Sequence, residues 1–142
     1  MNQTPSFWLV KSEPSKYGFA DLVRDGRTVW DGVRNAQAAI FLRAMRLGDR
    51  LFYYHSQTDL AVVGLAEVTR EFFPDPTDAS GRFVAVEIAP LRALAQPVAL
   101  ARMRADPRLA SMTMFRQFRL SVTPVTPEEW SVILELGGDR IG

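Results

Sequence analysis

Residues 30–35 combine side chains that could together bind a flat, polar ligand carrying a phosphate. Trp30 offers a surface on which a nucleobase could stack, and Asp31 could accept a hydrogen bond from an exocyclic amine. Arg34 could hold the phosphate with its guanidinium group, or simply pair with Asp31. Polar side chains in this number would need buried partners in a core strand, so we predict a loop. Asn35 is a favourable N-cap, and the free N–H groups of a helix beginning after it would suit an anion.

Two further polar and aromatic segments, residues 8–14 and 52–56, could supply the other walls of the same site. Tyr54 could stack on a base as Trp30 does, and Lys11 could bind an adjoining phosphate. Taken singly, an aromatic residue is more commonly part of the core than of a binding site. The prediction of a pocket therefore depends on the whole cluster of residues.

A hydrolytic site has little support in the sequence. Its one histidine, His55, is followed by Ser56, and neighbouring residues of a strand point to opposite faces. Ser12 or Ser121 could still meet His55 and Asp31 in space, but no Gly-x-Ser-x-Gly segment is present. The alternative is a structural histidine whose ring nitrogens are both hydrogen-bonded within the protein.

Metal and cofactor sites also lack a signature. The histidine and the carboxylates do not show the spacing of metal ligands, and the glycine motifs of phosphate-binding and dinucleotide-binding loops are missing. The absence of cysteine excludes disulfides, thiolate nucleophiles and zinc–thiolate sites. We therefore expect a protein that is not an enzyme and that uses no metal and no cofactor.

The bulk composition is that of one ordinary globular domain. The chain has 142 residues, of which 47% are hydrophobic and 23% charged, and we expect a single domain over residues 1–142. No apolar run approaches the roughly 18 residues of a membrane span, and residues 1–11 lack a signal-peptide pattern. The lack of cysteine fits a reducing compartment. We expect a cytoplasmic monomer that does not bind membranes.

Basic residues are unevenly distributed, although the net charge is only +1. Five arginines lie in a segment that contains a single acidic residue, Asp106: Arg102, Arg104, Arg108, Arg116 and Arg119. Because guanidinium groups match the geometry of phosphate, this segment could form a basic face that binds nucleic acid. The alternative is an ordinary solvated surface.

Periodicity and turn signals predict an α+β domain. We expect strands at residues 6–10, 50–56, 61–72, 83–91 and 119–125, and helices at residues 19–23, 36–47 and 98–105 and from Thr126 onward. Residues 109–117 should be irregular or contain one helical turn. Strands and helices do not alternate regularly, which indicates a curved antiparallel sheet or a small barrel.

Alternation along two of these strands assigns residues to faces. Tyr53 and His55 should share one face of their strand, and Tyr54 should lie on the other. In the next strand, Val63 and Leu65 should share a face, and Gly64 should lie on a face of small residues that another group approaches closely.

Four motifs in order resemble the EVE domain family of the PUA-like superfamily, which is related to the YTH readers of methylated adenine. The motifs are residues 7–14, 30–35, 53–56 and 119–125, and the resemblance extends from Phe7 to about Leu136. It implies a PUA-like pseudobarrel, with a mixed or antiparallel curved sheet of five to six strands flanked by helices. It also implies a non-catalytic pocket that receives a flipped, modified base, with modified cytosine such as 5-methylcytosine in DNA as the first candidate.

The resemblance further implies which residues form the site. The base-binding pocket would be lined by Lys11, Ser12, Glu13, Trp30, Asp31, Val33, Asn35, Tyr54, His55 and Ser121. The phosphates would be bound by Arg34, Arg116 and Arg119. The chain departs from the family where an apolar run, residues 112–118, leads into Arg119, which leaves open the modification and the choice of DNA or RNA. A binder of a free modified nucleoside or another planar small molecule is the alternative.

Overall fold

The computed structural model describes residues 5–139 as a sheet with helices packed on both faces. The strands are β1 (Phe7–Ser12), β2 (Thr28–Trp30), β3 (Arg50–His55), β4 (Ala61–Pro74), β5 (Val84–Ala99) and β6 (Val122–Val125). The helices are α1 (Pro14–Tyr17), α2 (Phe19–Asp25), α3 (Ala36–Ala44), α4 (Leu100–Ala105), α5 (Thr113–Arg116) and α6 (Pro127–Leu136), with a 3-10 turn at Pro107–Leu109. No helix within this part of the chain is long and apolar enough to cross a membrane.

The sheet is mixed and curved, as predicted for an α+β fold. The strand order is β2-β5-β4-β3-β1-β6; β1 is parallel to β3, and every other neighbouring pair is antiparallel. Strands β2 and β6 lie at opposite ends of this order, yet Trp30 of β2 and Val122 of β6 belong to the same buried cluster. The sheet must therefore curve until its two edges approach each other. The candidate site lies in the opening between them.

Each face of the sheet carries its own hydrophobic cluster. Trp8 and Tyr53 lie in the first cluster, against α2 and α3, whereas Leu9, Phe52 and Tyr54 lie in the second cluster with residues of α6. Adjacent residues of β1 and β3 thus alternate between the two clusters. The predicted alternation along residues 51–55 is confirmed.

Helix α3 ends three residues earlier than predicted, at Ala44 rather than at residue 47. The cause is the buried carboxylate of Asp49, which accepts hydrogen bonds from the backbone N–H of Arg46 and of Ser6 and from Nε1 of Trp8, each at 2.9 Å. These bonds tie the segment after the helix to β1. The sequence pattern of the helix alone does not contain this long-range interaction.

Other element boundaries also differ from the predictions; Trp30, for example, was predicted in a loop but is the last residue of β2, where it pairs with Val86. Strand β5 continues to Ala99 instead of ending at residue 91, because Val98 and Ala99 pair with β4, and the predicted helix at residues 98–105 therefore begins at Leu100. The register shifts opposite Pro90, which lets proline occur inside the strand. Strand β6 begins at Val122 rather than at residue 119, although the carbonyl of Ser121 already accepts a hydrogen bond from the N–H of Lys11.

One face assignment in β4 is wrong. The register of β4 shifts between Val62 and Gly64, so Val63 packs against the first cluster and Leu65 lies in the second. A bulge places consecutive residues out of alternation, which a strict period of two does not anticipate. The close approach expected at Gly64 is present, since a Cβ atom there would meet the ring of Phe19.

Candidate functional site

A cavity of about 500 Å³ lies where β1, β2 and the loop of residues 31–34 meet. Its lining residues come from β1, from β2 and the loop after it, from α1 and from the position before β6; they include Lys11, Ser12, Tyr17, Trp30, Asp31, Val33, Arg34 and Ser121. We call it the first cavity. The structure thus places six of the ten predicted base-pocket residues around one space: Lys11, Ser12, Trp30, Asp31, Val33 and Ser121.

Trp30 is held rigidly as a wall of the first cavity. Only 9% of its surface is exposed, and its ring meets that of Tyr53 edge-on, with centroids 5.5 Å apart and an interplanar angle of 82°. The Tyr53 hydroxyl donates to the carbonyl of Tyr17 at 2.7 Å, and burial raises the pKa of Tyr53 well above its ordinary value. The tyrosine that supports Trp30 is therefore Tyr53, whereas Tyr54 lies on the opposite face of the sheet.

Asp75 anchors the loop that forms the floor of the first cavity. Its side chain is fully buried and accepts hydrogen bonds from the N–H of Gly32 at 2.8 Å and from Nη1 of Arg34 at 2.9 Å. The backbone and hydroxyl of Thr77 donate to its other oxygen at 2.7 Å. Burial alone would raise the pKa of Asp75, but the hydrogen bonds from Thr77, Arg34 and Gly32 outweigh it and hold the pKa far below the usual range.

Arg34 consequently has a structural partner, which is Asp75 and not Asp31. Its guanidinium group also donates to the hydroxyl of Thr77 at 3.0 Å and lies 5.1 Å from the centroid of Phe83. The side chain remains 41% exposed, so an anion at the cavity could still reach it. Asp31 is exposed and lines the cavity.

Asn35 and His55 serve the backbone around the site and line neither of the cavities described here. The side chain of Asn35 accepts a hydrogen bond from the N–H of Ala38 at 3.0 Å, as predicted for an N-cap. His55 accepts the N–H of Phe19 at Nε2, at 3.0 Å, so its proton lies on Nδ1, which is 2.8 Å from Asp59. Both ring nitrogens are occupied, as expected of a structural histidine.

A second cavity, of about 630 Å³, lies on the other side of the wall formed by Lys11, Ser12 and Ser121. It contains two of the remaining predicted residues, Glu13 and Tyr54, together with Arg119. Arg116, the other predicted phosphate-binding residue, is in α5 and lines neither cavity. The structure therefore divides the predicted site between two adjoining spaces.

Lys11 lies between the two cavities. Its Nζ donates to the carbonyl of Phe118 at 2.6 Å and lies 3.9 Å from the centroid of that ring. Burial, with a contribution from the charge of Arg104, lowers the pKa of Lys11 to about 8. The ammonium group is thus poorly compensated, and a negatively charged ligand would stabilise it.

The sequence analysis did not identify two residues that shape the site, Asp75 and Tyr53. Tyr53 was assigned to the correct face, but the partner of that face could not be known without the strand order. Asp75 stands more than 40 residues from Gly32 and Arg34, in a loop rich in proline. An acidic residue among loop breakers is a weak signal, since such residues are common in turns. No group of three or more metal-ligating residues occurs among residues 5–139.

Comparison with known proteins finds relatives that match most of the chain. The EVE domain model matches residues 6–136. Thymocyte nuclear protein 1 of Rattus norvegicus is 33% identical, over 92% of this chain and 73% of that protein. An NMR structure of a protein from Rhodopseudomonas palustris is 50% identical, with a TM-score of 0.89 and coverage of 94% of this chain and 93% of that one.

Two of the similar structures were solved with a nucleic-acid ligand, 5-methylcytosine DNA in one and N6-methyladenosine RNA in the other. Human THYN1 protein, in complex with DNA containing 5-methylcytosine, is 30% identical with a TM-score of 0.87, covering 96% of this chain and 99% of that chain. A YTH domain from Zygosaccharomyces rouxii shares the fold at 13% identity, with a TM-score of 0.63 over 100% of this chain and 92% of that chain. The predicted PUA-like fold is confirmed.

Proposed function

Since this chain belongs to the EVE domain family, we propose that it is a non-catalytic, single-domain module that binds nucleic acid and reads a modified base. The first candidate is 5-methylcytosine in DNA, flipped out of its stack into the first cavity. Extrusion costs a few kcal/mol and less for an unpaired base, so the cavity must return that energy through its contacts.

The observation that carries the proposal is the composition of the first cavity. Its volume of about 500 Å³ lies within the range of roughly 300–1,000 Å³ that is typical of small-ligand sites. A flat aromatic wall, Trp30, is combined there with the hydroxyl groups of Ser12 and Ser121 and the carboxylate of Asp31. This is the combination by which proteins hold an extruded base, through stacking and through hydrogen bonds to its polar edge.

Individual roles follow from the chemistry of cytosine. Trp30 stacks on or borders the base, and Asp31 accepts a hydrogen bond from its N4 amine. Ser12 and Ser121 bind the remaining polar edge. Val33, which is buried and lines the cavity, offers an apolar surface for a methyl group, as apolar side chains do for the methyl group of thymine.

The other predicted residues have supporting roles in this proposal. Asn35 holds α3 and His55 holds α2, so both act through the backbone that surrounds the cavity. Lys11, Arg34 and Arg119 bind phosphates beside the base, while Glu13 and Tyr54 belong to the second cavity. Arg116 contacts the strand farther from the base.

The similarity to human THYN1 protein supports 5-methylcytosine as the first ligand to test, because that protein was crystallised with DNA containing this base. A reader of modified RNA is the alternative within the same class. The low net charge of +1 favours a second class, a binder of free modified nucleosides or other planar molecules, which would need no extended basic surface.

The proposal is tested by titrating the purified protein, at fixed salt, with matched DNA and RNA strands. They carry cytosine, 5-methylcytosine, 5-hydroxymethylcytosine or N6-methyladenine. We expect one modified strand to bind at least about tenfold more tightly than its unmodified counterpart, a difference within the roughly 1–3 kcal/mol available to a good base contact. Equal affinity across the series would refute a reader of these marks.

Two variants connect this selectivity with the first cavity. Trp30→Ala should abolish it, but Trp30 is nearly buried and its loss could destabilise the fold. Asp31→Asn changes an exposed side chain and leaves the core intact, and we expect it to weaken the affinity for strands carrying cytosine or its derivatives about tenfold, in line with one lost polar base contact. Circular dichroism and thermal melts show whether each variant is folded.

We also propose that the protein is a cytoplasmic monomer. The absence of cysteine supports a reducing compartment, although relatives are named thymocyte nuclear protein 1. Light scattering and microscopy of the tagged protein would show its oligomeric state and its location.

A further inference from the structure

The second cavity has the composition of a site for a nucleotide, although the proposed reading of a single base does not need it. Leu60 and Phe118, two large apolar side chains that are 41% and 40% exposed, both line it. Exposed aromatic and aliphatic side chains lining a cavity are typical of surfaces that cover a flat ligand.

The charges around this cavity favour an anion. Lys11, Lys16 and Arg119 line it together with a single carboxylate, Glu13, which lies 3.6 Å from the ammonium group of Lys16. Neither Lys11 nor Arg119 forms a salt bridge with a carboxylate of residues 5–139, whereas Arg108 in the same region is paired. The two cations nearest the wall shared with the first cavity are therefore uncompensated.

The state of Lys11 adds a reason for a ligand to bind. Its ammonium group lies against the ring and the carbonyl of Phe118, and Arg104 lies 5.2 Å from the centroid of the same ring. Two cations thus share one aromatic residue, and burial together with Arg104 lowers the pKa of Lys11. A phosphate would relieve this repulsion, and a base could occupy the ring surface that Lys11 leaves.

Two local features of the cavity wall are costly for the free protein. The Tyr54 hydroxyl is buried and has no hydrogen-bonding partner among the described residues. The Thr123 hydroxyl is the only other buried side-chain group of residues 5–139 without one. Gln57 and Leu60 have φ values of 72° and 46°, and no other non-glycine residue among residues 5–139 has a positive φ. Strained backbone and unpaired polar groups concentrate at binding sites, and here three such residues line one cavity.

We propose that the second cavity binds the nucleotide next to the flipped base, with its base between Phe118 and Leu60 and its phosphate on Lys11 and Arg119. This inference rests on the proposed function, since it requires the neighbouring base to be in the first cavity. The shared wall of Lys11, Ser12 and Ser121 makes the two spaces adjacent. Because a neighbour within a duplex stays stacked and paired, the protein binds two consecutive unpaired nucleotides and prefers single strands.

The test uses short single-stranded DNAs that each contain one 5-methylcytosine. The base is removed, leaving an abasic site, at the 5′ neighbour, at the 3′ neighbour, or at a distant position as a control. We expect removal on one side to weaken binding about five- to thirtyfold, the effect of losing one stacked base, and the distant removal to have no effect. The intact single strand should also bind more tightly than the corresponding duplex.

The variant Phe118→Leu tests whether the ring of Phe118 contacts the neighbouring base. It retains an apolar side chain and the carbonyl to which Lys11 donates, but removes the flat ring. We expect this variant to bind the intact strand as weakly as the wild type binds the strand that lacks the contacted neighbouring base. The variant should bind that abasic strand no more weakly than the wild type does. Phe72→Leu is the matched control, because Phe72 is 45% exposed with Arg43 at 5.3 Å from its ring but lines neither cavity.

The outcomes separate this inference from the proposed function. If 5-methylcytosine is still preferred while neither abasic neighbour weakens binding, the second site is refuted and the reader stands. If Phe118→Leu weakens the intact and abasic strands equally, the ring does not contact the neighbouring base and the inference fails. If cytosine and 5-methylcytosine bind equally, but the effect of the neighbour is present and vanishes in Phe118→Leu, the second site stands and the proposed ligand of the first does not.

Discussion

At the level of residues, a single buried carboxylate determines the shape of the candidate site. Asp75 receives hydrogen bonds from the backbone of Gly32 and from the guanidinium group of Arg34, and thereby fixes two positions of the loop that carries Asp31 and Val33. Because the acceptor is ionised, these hydrogen bonds are stronger than neutral ones. The cavity is therefore preorganised by a residue that does not line it.

Replacing Asp75 by asparagine should destabilise the protein in a pH-dependent manner. At about pH 7 we expect Asp75→Asn to lower the free energy of unfolding by about 2 kcal/mol, which is less than for a fully buried pair because Arg34 is 41% exposed and can be solvated. The pKa of Asp75 is lower in the folded protein than in the unfolded chain. The stabilisation by ionised Asp75 is therefore complete above its pKa in the unfolded chain, about 4. It disappears as the pH falls through its pKa in the folded protein.

Urea unfolding of wild type and variant at a series of pH values measures this effect. The difference between their unfolding free energies should narrow as the pH falls from about 7 to about 3, because only the wild type titrates at this position. Asp31→Asn, which changes an exposed carboxylate of the same loop, serves as the control. A difference between Asp75→Asn and wild type that is constant with pH would contradict the assigned role.

At the level of elements, the packing of α2 on β4 depends on a glycine. A Cβ atom at Gly64 would lie 2.6 Å from Cε1 of Phe19, closer than carbon atoms can approach. The N–H of Phe19 donates to His55, so α2 cannot move away without losing this bond. The ring itself is 6% exposed and has little free space.

Gly64→Ala should therefore lower the free energy of unfolding by about 2 kcal/mol, the typical cost of forcing a methyl group into a packed core. The double variant Gly64→Ala with Phe19→Leu removes the collision, and we expect it to be more stable than the sum of the two single effects predicts. Thermal or urea unfolding of the wild type, the two single variants and the double variant completes the cycle. Additive effects would show that the ring does not limit this position.

Elements whose signals are local could be predicted from the sequence. The start of α6 is an example, because the Thr126 hydroxyl accepts the N–H of Glu129 and the Glu129 carboxylate accepts the N–H of Thr126, as the predicted capping pattern requires. The predicted end of α3 was wrong because Asp49 accepts hydrogen bonds from residues more than 40 positions away. Boundaries set by distant partners are not contained in a local pattern.

The sequence did not predict how the residues of the candidate site are arranged. Alternation along β3 correctly put Tyr53 and Tyr54 on opposite faces, but only the strand order shows that Tyr53 faces Trp30. The grouping of Tyr54 with Trp30 in one pocket therefore joined residues that lie in separate hydrophobic clusters. Motif resemblance identifies residues near a site, whereas the side of the sheet decides which of two cavities they line.

For the whole molecule, the net charge of +1 conceals a division among the arginines. Several of them, including Arg24, Arg92 and Arg108, are paired with carboxylates in the folded protein. Arg116 and Arg119 form no salt bridge with a carboxylate among residues 5–139, and Arg119 lines the second cavity. The unpaired arginines should neutralise phosphates and so release counterions condensed on the nucleic acid, whereas the paired arginines should contribute little.

The salt dependence of binding tests this division. Each phosphate contact to a single strand contributes about 0.7 to the slope of log K against log salt, so Arg116→Gln with Arg119→Gln should reduce the slope by roughly 1 to 1.5. Arg108→Gln is the matched control: it belongs to the same basic segment, but its guanidinium group is already held by Asp106 at 2.8 Å and by Glu135 at 2.9 Å. An unchanged slope in that variant would show that position, and not total charge, determines the effect. If the double variant instead kept the wild-type slope, the ligand would carry no phosphates at this surface, as expected for a free nucleoside.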